Sequence, residues 1–405
     1  MKADAQVAHD WYRLQLSFLL ERNSTLAGNA LGFLGIGLYE SVRHGIKNAV
    51  SFSTVINQMP AMPDKDKNNG YHWDISANAA MAAMLRSFNI GLTPANKAAI
   101  DALEAKYNAA LNPSEGSASF ERSQAYGREI AKAIYDWYLA DQYYASNAGY
   151  VPPVDPAGIF RVWKPTPPAN VPVPIFPYLG TSRTFLTVHT SLTAPAFPIA
   201  YSGVPGSDFY NMVKEVYDVS LTLDDDKKAL VNYFKDVPGY SPGGTYVALM
   251  AQAIENTKQT LDMAALTYVK VGLAQHDATI VLFTHKYLYN IIRPVTYIRA
   301  YIDPNWLTYI PTPNHPEFPS GHSTTGGAVL GIMSSIFGED FHITLHTYDG
   351  IYPSRSYSSF TQMLKEISAS RLYGGIHFQA TLDKSEAQGN RVAQNILNTI
   401  KFLKG

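Results

Sequence analysis

Three short segments of this 405-residue chain concentrate groups able to hold a tetrahedral oxyanion. Lys286 and Arg293 lie seven positions apart, with Pro294 directly after. Pro319-Ser320-Gly321-His322 comes next, and Ser370-Arg371 precedes Gly374-Gly375 and His377. Together they offer three cations, two imidazoles, two hydroxyls and a glycine amide. Arginine grips oxyanion oxygens bidentately, glycine lets a backbone amide approach closely, and imidazole can move a proton near neutral pH. The set suits phosphate or vanadate.

Taken singly, each segment allows a plainer reading. On one continuous helix Lys286 and Arg293 would project from one face. Pro294 should end or kink that helix, leaving both cations near a C-terminus that favours positive charge. They could equally be two side chains snorkelling from an exposed face. Ser320-Gly321-His322, between Pro319 and the small residues Ser323 to Gly327, predicts a helix N-terminus, where unpaired amides and the dipole attract anions. The alternative is a capping serine beside a structural histidine. Arg371 and His377 stand about 240° apart on an ideal helix, so they share a site only if the chain bends at Gly374-Gly375. Otherwise this is a helix end closed by glycine.

The order of the three segments is more telling than any one of them. It resembles the vanadium-dependent haloperoxidases and the acid phosphatases that share their scaffold, the type 2 phosphatidic acid phosphatase superfamily. Lys286, Arg293, Pro294, Pro319, Ser320, Gly321, His322, Ser370, Arg371 and His377 all fall in register, from Lys286 to His377. Weaker likenesses to the soluble bacterial haloperoxidases lie at Asp10-Trp11 and in the proline-rich Gly158 to Pro168. The resemblance implies an all-α bundle. It implies that Lys286, Arg293 and Arg371 neutralise the oxygens of vanadate, that Ser320 and the Gly321 amide donate hydrogen bonds, and that His377 ligates the metal. His322 would be the acid/base group, and Lys286 would polarise hydrogen peroxide for oxidation of bromide or iodide and transfer to an organic acceptor. With phosphate in place of vanadate, the same set implies an acid phosphatase. There His377 attacks a phosphomonoester and His322 protonates the leaving alkoxide. A helical protein that only captures an oxyanion is the third reading.

Several positions refine the resemblance. His315 stands where many bromide- and iodide-oxidising members have histidine and chloride-oxidising ones tend to have phenylalanine. Asp277 matches a family aspartate that would orient a histidine. Phe283 replaces a frequent tryptophan before the lysine. Thr381 stands where an aspartate often follows the final histidine, and Asp383 comes two residues late. If that carboxylate orients the ligand histidine, its loss would weaken metal affinity.

The elements that must bring these segments together are helices. Apolar residues make up 46% of the chain and charged ones 16%, below the usual quarter or so, so much of the chain is expected to be buried. The net charge of −1 and the lack of any basic block exclude a nucleic-acid partner. With no cysteine there is no disulfide, zinc-thiolate centre or cysteine nucleophile, a composition that suits the handling of oxidants. The longest apolar run, Ala30 to Tyr39, is half the roughly twenty residues of a membrane span, so a soluble chain without a span is expected. Met1-Lys2 has no apolar secretory stretch behind it. A periplasmic or secreted protein whose signal has been removed is expected, and a cytoplasmic one stays open.

A single domain over 1–405 is expected, with N-terminal helices in 1–147, a proline-rich packed loop in 148–206 and site-bearing helices in 207–405. Apolar spacing predicts a helix over His9–Arg22, Thr93-Pro94 a helix start, and Ser119–Tyr144 a long amphipathic helix. Nine prolines in 151–180 forbid helix there. The interspersed Phe160, Trp163, Ile175, Phe176 and Tyr178 predict an ordered extended segment packed on helices. Further helices are predicted over Asp208–Tyr217, Leu223–Lys235, Gly244–Asn256, Thr260–Tyr301, Ser320–Phe337, Thr361–Leu372 and Asp383–Phe402. Oligomeric state is not legible.

Overall fold

The computed structural model describes residues 3–22, 25–89, 91–111, 118–141, 147–155, 161–197, 199–236 and 244–404. The expected helix end at Tyr144, and Gly158 and Phe160 of the proline-rich segment, lie outside the described residues. The fold is all-α. Five helices come first: α1 (Gln6–Arg22), α2 (Thr25–Val42), α3 (Trp73–Phe88), α4 (Pro94–Leu111) and α5 (Ala118–Leu139). A single turn, α6 (His189–Leu192), interrupts the proline-rich stretch. Then follow α7 (Asp208–Ser220), α8 (Asp225–Tyr233), α9 (Gly244–Thr257), α10 (Leu261–Tyr289), α11 (Pro294–Tyr301) and α12 (Gly321–Phe337). The antiparallel pair β1 (Ile343–Leu345) and β2 (Arg355–Tyr357), with Ile343 opposite Tyr357, precedes α13 (Phe360–Tyr373) and α14 (Gln379–Thr399). Among the described residues no helix is long and apolar enough to cross a membrane.

Helix starts follow local chemistry. The Thr93 hydroxyl accepts from Asn96 N–H at 3.1 Å ahead of Pro94, Asp224 caps α8 through Lys227 N–H at 2.8 Å, and Ser359 caps α13 through Gln362 N–H at 3.0 Å. Each satisfies an amide that the helix itself cannot. One expected helix is corrected. Thr260–Tyr301 is not continuous, because α10 stops at Tyr289, Asn290 takes a left-handed φ of 50°, and Arg293 is the extended N-cap of α11. Pro294 explains the break: it forces the residue before it out of the helical region and is well suited to a first helical position. Lys286 and Arg293 therefore do not share a helical face. Lys286 sits in the last turn of α10, and Arg293 precedes the next helix.

The chain forms two compact units. The first comprises Met1–Asp141, Val237–His276 and Asn395–Gly405. Its core contains Trp11, fully buried, whose indole N–H donates to Asn78 Oδ1 at 2.9 Å, and Tyr12 stacked on Tyr268 with ring centroids 3.8 Å apart. The second comprises Gln142–Asp236 and Asp277–Gln394. Within it the proline-rich segment packs as extended chain. Trp163 is buried and its backbone N–H donates to Asn290 O at 2.8 Å, at the break between α10 and α11. Ile175 N–H donates to Asn314 O at 2.9 Å. An apolar cluster of Phe209, Val213 and Val216 from α7, Ile298 from α11, and Phe378 and Leu382 supports the ends of the site-bearing helices.

Candidate active site

The anion-binding candidates all lie in the second unit, on segments that meet around the loop from Pro313 to Pro319. Lys286, fully buried in the last turn of α10, donates through Nζ to Pro316 O (2.8 Å), Glu317 O (3.1 Å) and Pro319 O. Burial and then Arg293 pull its pKa well below the usual lysine range, while Glu317 opposes them. Three carbonyl acceptors match the three donors of an ammonium, so we assign the charged form. Arg293, also fully buried, donates through Nε to His315 O (2.9 Å) and through Nη1 to Ile376 O (2.9 Å). Its Nη1 lies 3.3 Å from His377 Nε2 and its Nη2 3.1 Å from His315 Nδ1. Burial lowers its pKa to about 10, which leaves it charged at neutral pH.

Ser320 is the N-cap of α12, as the small-residue run predicts; its Oγ accepts from Ser323 N–H at 3.4 Å and Ser323 Oγ at 3.1 Å. Its own N–H donates to Ser385 Oγ at 2.8 Å. A methyl group placed on Gly321 would meet nothing within 4 Å, so space is open beside this first helical residue. The bend expected between Arg371 and His377 is present. Gly375 has a φ of 78° after the end of α13, and Gly375 N–H donates to Leu372 O at 2.9 Å. A left-handed glycine is the common way to close a helix, and here it turns His377 back toward Arg293. Arg371 is buried with its Nε on Ser370 Oγ at 3.1 Å.

His377 is buried, and its two nitrogens have different partners. Nδ1 lies 2.7 Å from Glu317 Oε1, and Nε2 faces the Arg293 guanidinium. Burial first, then Arg293, Lys286, His315 and Arg371, hold its pKa well below the ordinary imidazole value. The ring is therefore neutral, and cations from the first and third sequence segments act on it. His322 Nε2 lies 2.8 Å from Asp236 Oδ2, a buried carboxylate on a residue with φ of 61°. Left-handed backbone is uncommon outside glycine and recurs at functional sites. His315 packs edge-on to Phe283 with centroids 5.6 Å apart, and Phe283 in turn meets Phe176 at 5.5 Å. Burial, Lys286 and Arg293 keep His315 neutral, well below its usual pKa.

Asp277 sits away from these contacts. It accepts from Phe185 N–H (2.6 Å) and Leu186 N–H (2.9 Å) and lies 2.5 Å from His189 Nδ1. It thus fastens the proline-rich segment to α10. Two carboxylates were missed by sequence reasoning. Glu317 is signalled only as an acid flanked by Pro316 and Phe318, two positions before Pro319. Asp236 carries no signal: it is far from His322 in the chain and follows α8 in irregular structure.

The residues present fit a vanadate ion. One neutral imidazole nitrogen, three buried cations, a capping serine and a glycine amide beside open space are groups that would suit a tetrahedral oxyanion with a nitrogen ligand. Residues 266–404 match the family model described as the VCPO second helical-bundle domain. Among solved structures, the chain is similar to a bacterial vanadium-dependent iodoperoxidase at 25% identity with a TM-score of 0.89, over 100% of this chain and 99% of that one. It shares a fold with a holo-type bacterial vanadium-dependent chloroperoxidase (19% identity, TM-score 0.66, 93% of this chain and 91% of that one). The apo-type bacterial chloroperoxidase gives 18% identity and a TM-score of 0.63, over 92% and 93% of the two chains. A search of curated protein sequences finds no match. In residues 266–404 and in its fold, the chain is therefore similar to the vanadium haloperoxidases.

Proposed function

We propose that this protein is a vanadate-dependent haloperoxidase that oxidises iodide or bromide with hydrogen peroxide. The observation that carries the reading is the neutral His377, backed by Glu317 through Nδ1 and set among Arg293, Lys286 and Arg371. Likeness along the whole chain to an iodoperoxidase supports it. When bound, vanadate supplies the Lewis-acid centre at which hydrogen peroxide is polarised. Arg293, Lys286 and Arg371 balance the charge of the oxyanion from buried positions, where water screens them little. The Ser320 hydroxyl and the Gly321 N–H would donate to its oxygens, and His377 Nε2 would be the ligand atom. His322 moves the proton. With Asp236 at 2.8 Å its ring is held in place, so it would accept a proton from peroxide and return it to the leaving water. His315 and Phe283 form the side where we place the halide. The oxidised halogen then passes to an organic acceptor. Work outside the cytoplasm is part of this reading, and a cysteine-free chain suits it.

The test is reconstitution with orthovanadate, followed by peroxide-driven oxidation of iodide and of bromide. Turnover that requires vanadate is expected. Hydrolysis of an aryl phosphate that vanadate inhibits, without halide oxidation, would overturn the reading in favour of a phosphatase.

A further inference from the structure

We propose that Glu317 is the positioning residue of His377, supplying from the loop before α12 the carboxylate that position 381 lacks; the inference rests on His377 being the vanadium ligand. Glu317 is fully buried. Oε1 accepts from Phe378 N–H at 3.2 Å and faces His377 Nδ1 at 2.7 Å, and Oε2 accepts from Thr381 Oγ1 at 2.8 Å. Its backbone is pinned as well, because Lys286 Nζ donates to Glu317 O. The carboxylate is thus fixed from two sides before any ligand arrives.

Both ends of the imidazole then agree on one tautomer. A guanidinium has no lone pair, so Nε2, 3.3 Å from Arg293 Nη1, must be the acceptor. The proton belongs on Nδ1, directed at Glu317. Such a partner on the far nitrogen sets the ring angle and the basicity of the ligand atom. Thr381 completes the pair. It lies four positions after His377, in the first turn of α14, and its hydroxyl donates to Oε2. An aspartate there would put a second carboxylate beside the first, and two such groups cannot both ionise. Glu317 and Thr381 are therefore complementary, with one carboxylate serving one imidazole.

Histidine ¹⁵N shifts, assigned with His377→Gln, report the tautomer without vanadate, and equilibrium dialysis against orthovanadate reports affinity. The wild type should show only the Nδ1–H form of His377. Glu317→Ala should mix the tautomers and weaken orthovanadate binding roughly 10–100-fold. Should that variant not fold, Thr381→Asp alone should weaken binding by about tenfold or more, and Glu317→Gln/Thr381→Asp, which moves the carboxylate across the pair, should recover most of it. An unchanged tautomer and affinity in Glu317→Ala, or Thr381→Asp binding as well as wild type, would overturn the inference. If the tautomer responds as expected but the wild type binds no orthovanadate, Glu317 keeps its role and the haloperoxidase reading falls.

Discussion

The proposed role of His377 depends on keeping a nitrogen lone pair in a cation-rich, dry place. Burial and four neighbouring basic groups discourage protonation, and Arg293 and Glu317 leave the ring no freedom of orientation. His377→Ala should therefore abolish vanadate-dependent turnover and stoichiometric vanadate uptake while leaving the far-UV circular dichroism intact; full activity in that variant would remove His377 from the mechanism. In the proposed mechanism Asp236 acts at one remove, through His322. Asp236→Asn should lower kcat about tenfold or more with little change in KM for iodide, since general acid–base catalysis contributes typically 10²–10⁴-fold. Steady-state kinetics of the reconstituted enzyme decide this, and a change confined to KM would contradict the assigned role.

Helix α14 organises the site from behind. Thr381, Ser385 and Gln388 form a buried polar stripe, bonded to Glu317 Oε2, Ser320 N–H and, at 3.0 Å, the Thr324 hydroxyl. Gln388 also lies 2.9 Å from His285 Nδ1, beside Lys286. Close approach of α12 and α14 needs glycines: a methyl group on Gly327 would lie 2.6 Å from Glu386 O, and one on Gly389 would overlap the Thr324 carbonyl and lie 2.7 Å from Ala328 N. Gly389→Ala should cost about 1–3 kcal/mol through overpacking and loosen vanadate binding by displacing the Ser320 end of α12. Thermal melts and dialysis would show both, and a melt unchanged from wild type would mean the helices are not in such contact.

Much of this arrangement was legible beforehand at caps and motifs. Pro319-Ser320-Gly321 announced a helix N-terminus, and Gly374-Gly375 announced a bend, because local backbone chemistry dictates both. The break after Tyr289 was not legible as a break, since apolar residues continue on both sides of it and periodicity alone bridges four non-helical residues. Glu317 and Asp236 were invisible as site residues because only tertiary packing brings them to His377 and His322. Thr381 looked like a defect for the same reason, its partner being remote in sequence.

On the scale of the molecule, every site candidate lies in the unit made of Gln142–Asp236 and Asp277–Gln394. The other unit can be weakened by itself. Trp11→Phe would strip Asn78 Oδ1 of its indole donor in a buried setting, costing about 1–3 kcal/mol. Melting temperature should fall while orthovanadate affinity stays at the wild-type value, and a matching loss of affinity would refute that independence. His44, in the same unit, is held down to a pKa of about 4, by burial first and then by Arg43, with Asp64 opposing. A histidine lowered in the folded state favours folding above its unfolded pKa near 6.5 and loses that contribution as pH falls from there toward 4. His44→Gln should flatten part of the acid-side decline in melting temperature between those values, and an unaltered decline would assign it to other groups.

The central claim is tested most directly by adding orthovanadate to the purified protein and following iodide oxidation by hydrogen peroxide, wild type beside His377→Ala. The account predicts one vanadate bound per chain and turnover that appears only with vanadate and only in the wild type. Iodide oxidation that ignores vanadate, or that survives in His377→Ala, would contradict it.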